Sequence, residues 1–276
     1  MARARTERSD LAEERFIRSL RFRHEAAPAV PSYPFSIPAV RALAEAGEIE
    51  LGPVTFLVGE NGTGKSTLLE AVANAAGFNP EGGSRNFHFS TRDSHSQLSQ
   101  ALMLIRNAER PLRDGFFFRA ESFFNVATQI DQLGVVDSYG GVSLHEMSHG
   151  EAFVALLKHR VRYGFYVFDE PEAALSPARQ LAALRMIYDR MRAGAQFLIA
   201  THAPILMSLP GAVIYALSER GLARVPYTET EHFLLSRSFF ASPERMLSHL
   251  LADDAESEAS PEPQPESRAK PRAKRR

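Results

Sequence analysis

An α/β fold with an open, mainly parallel sheet and helices on both faces is predicted by three observations. Apolar strand-like runs alternate with helix-like periods through the second half of the 276-residue chain. A glycine-rich turn, "GENGTGKST" at Gly59–Thr67, joins an apolar run to a helical one. A second apolar run, "YVFDE", ends in the acidic pair Asp169 and Glu170, the end at which open α/β sheets carry their ligands.

The elements follow in order. "RFIRSLRFR" (15–23) alternates as a half-buried strand. Pro28, Pro31, Pro34 and Pro38 mark a loop, and "PAVRALAEAG" (38–47) reads as a short helix with proline at its start and glycine past its end. "PVTFLV" (53–58) is a buried strand and "KSTLLEAVANAA" (65–76) a helix. Residues 77–96 are rich in Gly, Asn and Ser and read as loop and hairpin. "QLSQALMLIRNAER" (97–110) is expected as an amphipathic helix, and "GFFFRAE" (115–121) as a strand. A helix is expected from Ser148 to Arg162, then strand "FYVFDE", helix "PARQLAALRMIYDRMRAG", and strands "QFLIAT" and "AVIYAL". Two helices around Pro243 close the domain.

Composition sets bounds. The chain is 44% hydrophobic and 24% charged with a net charge of −1, ordinary for a globular protein and too balanced for bulk polyanion binding. It has no cysteine, which excludes disulfides and thiolate metal sites and fits a reducing, cytoplasmic compartment. The N-terminal arginines alternate with Glu7, Asp10, Glu13 and Glu14 and precede no apolar stretch, so no secretory leader is expected. The most apolar window, 197–217, is broken by His202, Pro204, Pro210 and Gly211, so it reads as strand, loop, short helix and strand, without membrane insertion. Residues 1–14 are expected to be flexible, 15–251 to form the folded domain, and 252–276 to be a disordered tail, acidic and then basic. The final Lys/Arg cluster leaves a nucleic-acid or acidic protein contact open.

Gly59–Thr67 matches G-x-x-x-x-G-K-[ST], with a strand before and a helix after. Glycines at 59, 62 and 64 let backbone N–H groups turn inward and, with the helix N-terminus, form an anion cradle. Gly59, Glu60, Asn61, Gly62, Thr63, Gly64, Lys65, Ser66 and Thr67 are therefore expected to line ATP. Lys65 would span the β and γ phosphates and Ser66 would ligate Mg2+. Asp169 is the second expected Mg2+ ligand and Glu170 the group that polarises the attacking water. His202, in "FLIATHAPIL", is expected as a γ-phosphate sensor. Tyr33 or Phe35 could stack on adenine or simply pack in the Pro-rich loop.

"SLHEMSHGEAF" (143–153) can be read in two ways. His145-Glu146-x-x-His149 spells the zinc-protease pattern, which needs both histidines on one helix face. Ser148 and Glu151 instead make a capping box, so a helix would begin at Ser148 and leave His145 outside. No third zinc ligand is evident, and the capping reading is preferred.

In this order the motifs resemble the ABC-type ATPase superfamily. Gly59–Thr67 looks like its Walker A, Tyr166–Glu170 its Walker B and His202 its switch histidine. Met147–Glu151 falls at the signature position and "EAALSP" at the D-loop. "DEPEAALSP" and "THAP" are closer to the RecF-like and SMC-like branch. "VTFLVGENGTGKSTLLEAV", "FFRAESFFNVAT" and "SHGE" resemble small soluble bacterial predicted ATPases labelled AAA-family. That resemblance spans roughly residues 16–251.

It implies an ABC-ATPase-type P-loop NTPase fold, with an antiparallel N-terminal β part and a helical subregion carrying the signature helix. It implies Mg-dependent ATP hydrolysis and a head-to-tail homodimer, in which Ser148, Gly150 and Glu151 of one copy meet the ATP of the other. Two departures stand out. His149 and Glu151 replace signature residues, and Glu121 stands where a metal-sensing Gln is expected. A nucleotide-dependent switch or clamp on nucleic acid or a protein is the leading reading. A membrane transporter's ATP-binding subunit and a non-catalytic scaffold are the alternatives.

Overall fold

The computed structural model describes residues 15–30, 32–84, 96–218 and 221–257. Its centre is a six-stranded sheet in the order β5-β6-β7-β3-β8-β9. The strands are β3 (Val54–Gly59), β5 (Gly115–Arg119), β6 (Phe165–Asp169), β7 (Gln196–Ala200), β8 (Val213–Ser218) and β9 (Gly221–Arg224). The first five run parallel, and β9 returns antiparallel on β8. A second, antiparallel sheet has the order β2-β1-β4, from β1 (Ile17–Phe22), β2 (Glu48–Glu50) and β4 (Leu102–Arg106).

Alternation along the central strands sorts their side chains into two cores. Phe56, Phe116, Phe118, Tyr166, Phe168, Phe197 and Ile199 enter one. Leu57, Phe117, Phe165, Val167, Leu198 and Ala200 enter the other. Both faces are therefore buried, which is why these strands read as continuous apolar runs. The first face is covered by α4 (Phe123–Gln132), α5 (His149–Ala155), α6 (Pro177–Arg192) and α7 (Pro204–Met207). The second is covered by α1 (Pro38–Ala46), α2 (Lys65–Ala76), α3 (Ser96–Ala101) and the small sheet. Buried Gln196 ties the two sheets, as does Tyr215, whose OH donates to the Glu50 carbonyl at 2.8 Å. Gln196 Oε1 accepts from the N–H groups of Phe16 and Ile17, and its Nε2 donates to the carbonyls of Ile17 and Gly52.

Several expectations change. The helix expected over 97–110 stops at Ala101, and Leu102–Arg106 pairs antiparallel with β1 instead. Pairing satisfies the free edge of β1 and buries Leu102, so tertiary context overrides the helical period. The helix expected from Ser148 to Arg162 is α-helical only over His149–Ala155 and continues as a π-helix over Leu156–Arg160. That wider turn delivers Arg160 to both oxygens of Asp114, at 2.8 and 2.6 Å. α4 carries Phe123, Val126, Ala127 and Ile130 on one buried stripe, a spacing the sequence reading passes over.

The chain divides into two compact units, at residues 1–234 and 235–276. The described part of the second consists of the end of α8 (Glu231–Ala241) and of α9 (Pro243–Ser257). Helix α9 thus runs past Ala252, where the sequence reading starts the tail. The expected flexible N-terminus at 1–14, and the tail from 258 on, lie outside the described residues. Among the described residues, no helix is long and apolar enough to cross a membrane.

Candidate functional site

The parallel strands aim their C-terminal ends at one edge of the sheet. β3 delivers Gly59 there, β5 Arg119 and β6 Asp169, while β7 ends just before Thr201 and His202. Register makes Arg119 the direct neighbour of Asp169, and Asp169 the neighbour of Ala200.

The chain leaves β3 through a turn that starts α2 at Lys65. Gly64 has φ +91°, and a side chain on it would lie 2.0 Å from Ile37, so glycine is required on both conformational and steric grounds. Lys65 is only 4% exposed. Its Nζ donates to the carbonyls of Gly59 and Glu60, each at 2.8 Å. Burial pushes its pKa down, against the pull of Glu170, Asp169 and Glu172. Asn61, Gly62, Gly64, Lys65, Ser66 and Thr67 line a cavity of about 520 Å3 together with Tyr33, Ile37, Glu121 and Glu170. Tyr33, 61% exposed, stands on this wall, whereas Phe35 is 6% exposed and packs edge-on to Phe22. Of the two aromatic residues, only Tyr33 can reach a ligand.

Ser66 Oγ donates to Asp169 Oδ1 at 3.0 Å. Asp169 is 4% exposed, and burial raises its pKa to about 6 even though Ser66 and Arg119 pull it down. A hard divalent cation beside this pair would supply the missing charge, so the hydroxyl and carboxylate oxygens fit Mg2+ with water completing its shell. Glu121 does not join them. Its carboxylate, 82% exposed, pairs with Arg119 at 3.1 Å. The low-lying charge network was not read from the sequence: Arg119 also bonds Glu70 at 3.1 Å and lies 3.6 Å from Asp169.

Glu70 is buried, and that burial raises its carboxyl to about 7 despite Arg119. Its usual pKa is 4.5. The fold therefore prefers the neutral acid, a contribution complete below the unfolded pKa and lost as pH rises through about 7. The melting temperature should fall between pH 5 and pH 8, and Glu70→Gln should flatten that decline by on the order of 2 kcal/mol of stability. Calorimetry across that range checks it.

Glu170 is the one non-glycine residue with positive φ (+48°) among the described residues. Such backbone is costly for a side-chain-bearing residue and collects at functional sites. Its N–H donates to Ala200 at 3.0 Å, and its Oε1 lies 3.7 Å from His202 Nε2. The His202 N–H donates to Glu172 Oε1. Burial lowers the His202 pKa, Lys65 and His232 add to this, and Glu170 opposes it. The ring is therefore a neutral donor near pH 7.

The Ser148 segment does not line this cavity in the single chain. Ser148 caps α5, and Glu151 completes the capping box. His145 sits in a separate 3-10 turn, so the two histidines do not share a helix face. Among the described residues no group of three His, Cys, Asp or Glu is arranged to hold a metal. Arg179 of α6 bonds both Ser148 and Glu151 at 3.2 Å. Gly150 is buried, and a side chain there would meet the Ala174 carbonyl at 2.7 Å. This glycine thus lets α5 approach the turn after β6, while Ser148 and His149 remain exposed.

A family model described as an AAA domain matches residues 36–115, from the entry to α1 through the start of β5. The cytochrome c biogenesis ATP-binding export protein CcmA of Rhodopseudomonas palustris (strain HaA2) is 27% identical over 169 residues, 56% of this chain and 80% of that protein. Together the two sequence matches support an ABC-class P-loop ATPase. The chain also resembles the SMC head domain from Thermotoga maritima, at 17% identity over 77% of this chain and 99% of that one, with a TM-score of 0.41. A metal-chelate-type ABC transporter in an inward-facing conformation matches at 14% identity over 68% and 78%, with a TM-score of 0.39. At those scores the structural likeness carries no weight, and the support comes from the sequence matches and the P-loop geometry.

Proposed function

We propose that this ABC-class chain binds Mg·ATP at Gly59–Thr67, hydrolyses it, and uses the nucleotide to hold a homodimer together. The observation that carries the reading is the grouping at one sheet edge of buried Lys65, the Ser66–Asp169 pair, Glu170 and His202. Lys65 and the amides of the glycine turn would hold the β and γ phosphates, and Ser66 and Asp169 would hold the metal ion. Mg2+, when bound there, would offset the negative charge of the phosphates. Glu170 takes a proton from water as its oxygen bonds to the γ phosphorus. The bond to the β–γ bridging oxygen breaks, leaving ADP and phosphate. Lys65 and the neutral His202 donate to the oxygens on which charge develops.

Dimerisation is proposed through the exposed Ser148 and His149 and the N-terminus of α5, which offers N–H groups to a partner's ATP. Ser148→Arg should leave one-to-one ATP binding intact and abolish ATP-dependent mass doubling in light scattering. Ser148→Ala separates the lost cap, about 1 kcal/mol, from the blocked surface. A Ser148→Arg protein that still doubles its mass with ATP would remove this segment from the interface. Whether the cycle acts on nucleic acid or a protein is decided by turnover with and without DNA and RNA. Likeness to an export protein favours a transporter-linked subunit as the second reading, tested by co-purification with a membrane protein.

A further inference from the structure

A second histidine faces the first. His232 Nε2 lies 3.1 Å from His202 Nδ1, with ring centroids 5.2 Å apart. His232 is the second residue of α8, and its position is built rather than accidental. Thr230 is buried before it, accepts from the Phe233 N–H at 3.4 Å and donates to the Tyr227 carbonyl at 2.8 Å. The Tyr227 and Phe233 rings pack at 4.7 Å. The outer nitrogens of the pair, His202 Nε2 and His232 Nδ1, are buried and have no hydrogen-bond partner among the described residues.

Two neutral imidazoles can share only one proton across such a contact. If His202 held it on Nδ1, its bare Nε2 lone pair would face the Glu170 carboxylate, and His232 would carry a buried N–H with no acceptor. With the proton on His232 Nε2, His202 carries N–H on Nε2, towards Glu170. That N–H lies 3.7 Å from a carboxylate instead of facing no acceptor, and His232 keeps only an unsatisfied lone pair, so this is the cheaper arrangement. We propose that His232 is a positioning residue: it donates to His202 Nδ1 and holds His202 in the tautomer whose Nε2–H faces the γ-phosphate position. The tautomer of a histidine is set by the bond its other nitrogen makes. This rests on the reading of His202 as a phosphate donor, and it places the start of α8 in the chain of contacts leading from the nucleotide.

The test uses the full chain with 15N-labelled histidine. His202→Gln assigns the His202 signals. Nucleotide-free protein should show His202 protonated on Nε2 with a bare Nδ1, and the reverse tautomer overturns the proposal. His232→Phe should lower kcat by on the order of 10-fold while KM for ATP stays within about 2-fold. His232→Gln, whose amide N–H can replace the imidazole donor, should restore most of that loss. If both variants fold and glutamine does no better than phenylalanine, the proposal fails. Should His232→Phe not fold, the wild-type tautomer and the glutamine variant still decide it. A wild-type chain that turns over no ATP counts against the hydrolytic reading alone, because the tautomer is read without nucleotide.

Discussion

Lys65→Ala is expected to remove ATP binding, with affinity falling roughly a thousandfold. The ammonium is buried and bonded to two loop carbonyls, so it is already desolvated and aimed before any phosphate arrives. Little reorganisation is needed for it to turn from Gly59 and Glu60 towards an anion. A charge-assisted hydrogen bond of this kind, lost from a desolvated site, costs about 4 kcal/mol, and each 1.4 kcal/mol is about tenfold in affinity. The fold should survive the change, because α2 is anchored by Leu68, Leu69, Ala71, Val72 and Ala73 in the core rather than by the lysine. Titration calorimetry with Mg·ATP, alongside the melting temperature, separates the outcomes. An unchanged affinity in a folded variant would falsify the phosphate role.

The parts of this site legible in the sequence are those that local chemistry dictates. A turn that must carry Gly64 at positive φ and a lysine at the first position of a helix leaves a signature nine residues long. A strand ending in Asp169 and Glu170 does likewise. The capping box at Ser148 and Glu151 was readable for the same reason: both partners lie within one helical turn. What could not be read comes from distant pairings. Arg119 meets Glu70 and Asp169 because three elements converge at one sheet edge, and only the in-register pairing of β5 with β6 places it there. The Leu102–Arg106 run is apolar without a clear period, so its state was decided by the open edge of β1, some eighty residues earlier in the chain. Gln196 stands before an apolar run and reads as a strand boundary. Its four bonds to two other segments exist only once the two sheets have met. His232 is a lone histidine in a helix start, and nothing local marks its partner.

Glu170→Gln is expected to slow hydrolysis by at least about 100-fold and to leave ATP binding nearly intact. The reason lies in what the substitution keeps. Glutamine has the same length, tolerates the left-handed backbone no worse than glutamate, and retains the backbone bond from residue 170 to Ala200. It cannot accept a proton from water. ATP should therefore remain bound, and a dimer that closes on ATP should persist where the wild type cycles apart. Light scattering should show doubled mass that decays over far longer times than in the wild type. His202 sharpens the expectation, since its Nε2 lies 3.7 Å from the Glu170 carboxylate. Replacing that carboxylate with an amide removes the charge that raises the His202 pKa. The histidine should then stay neutral to lower pH. Residual turnover in Glu170→Gln should decline at a lower pH than in the wild type. Full-rate hydrolysis by this variant would take Glu170 out of the chemistry and leave water activation to another group.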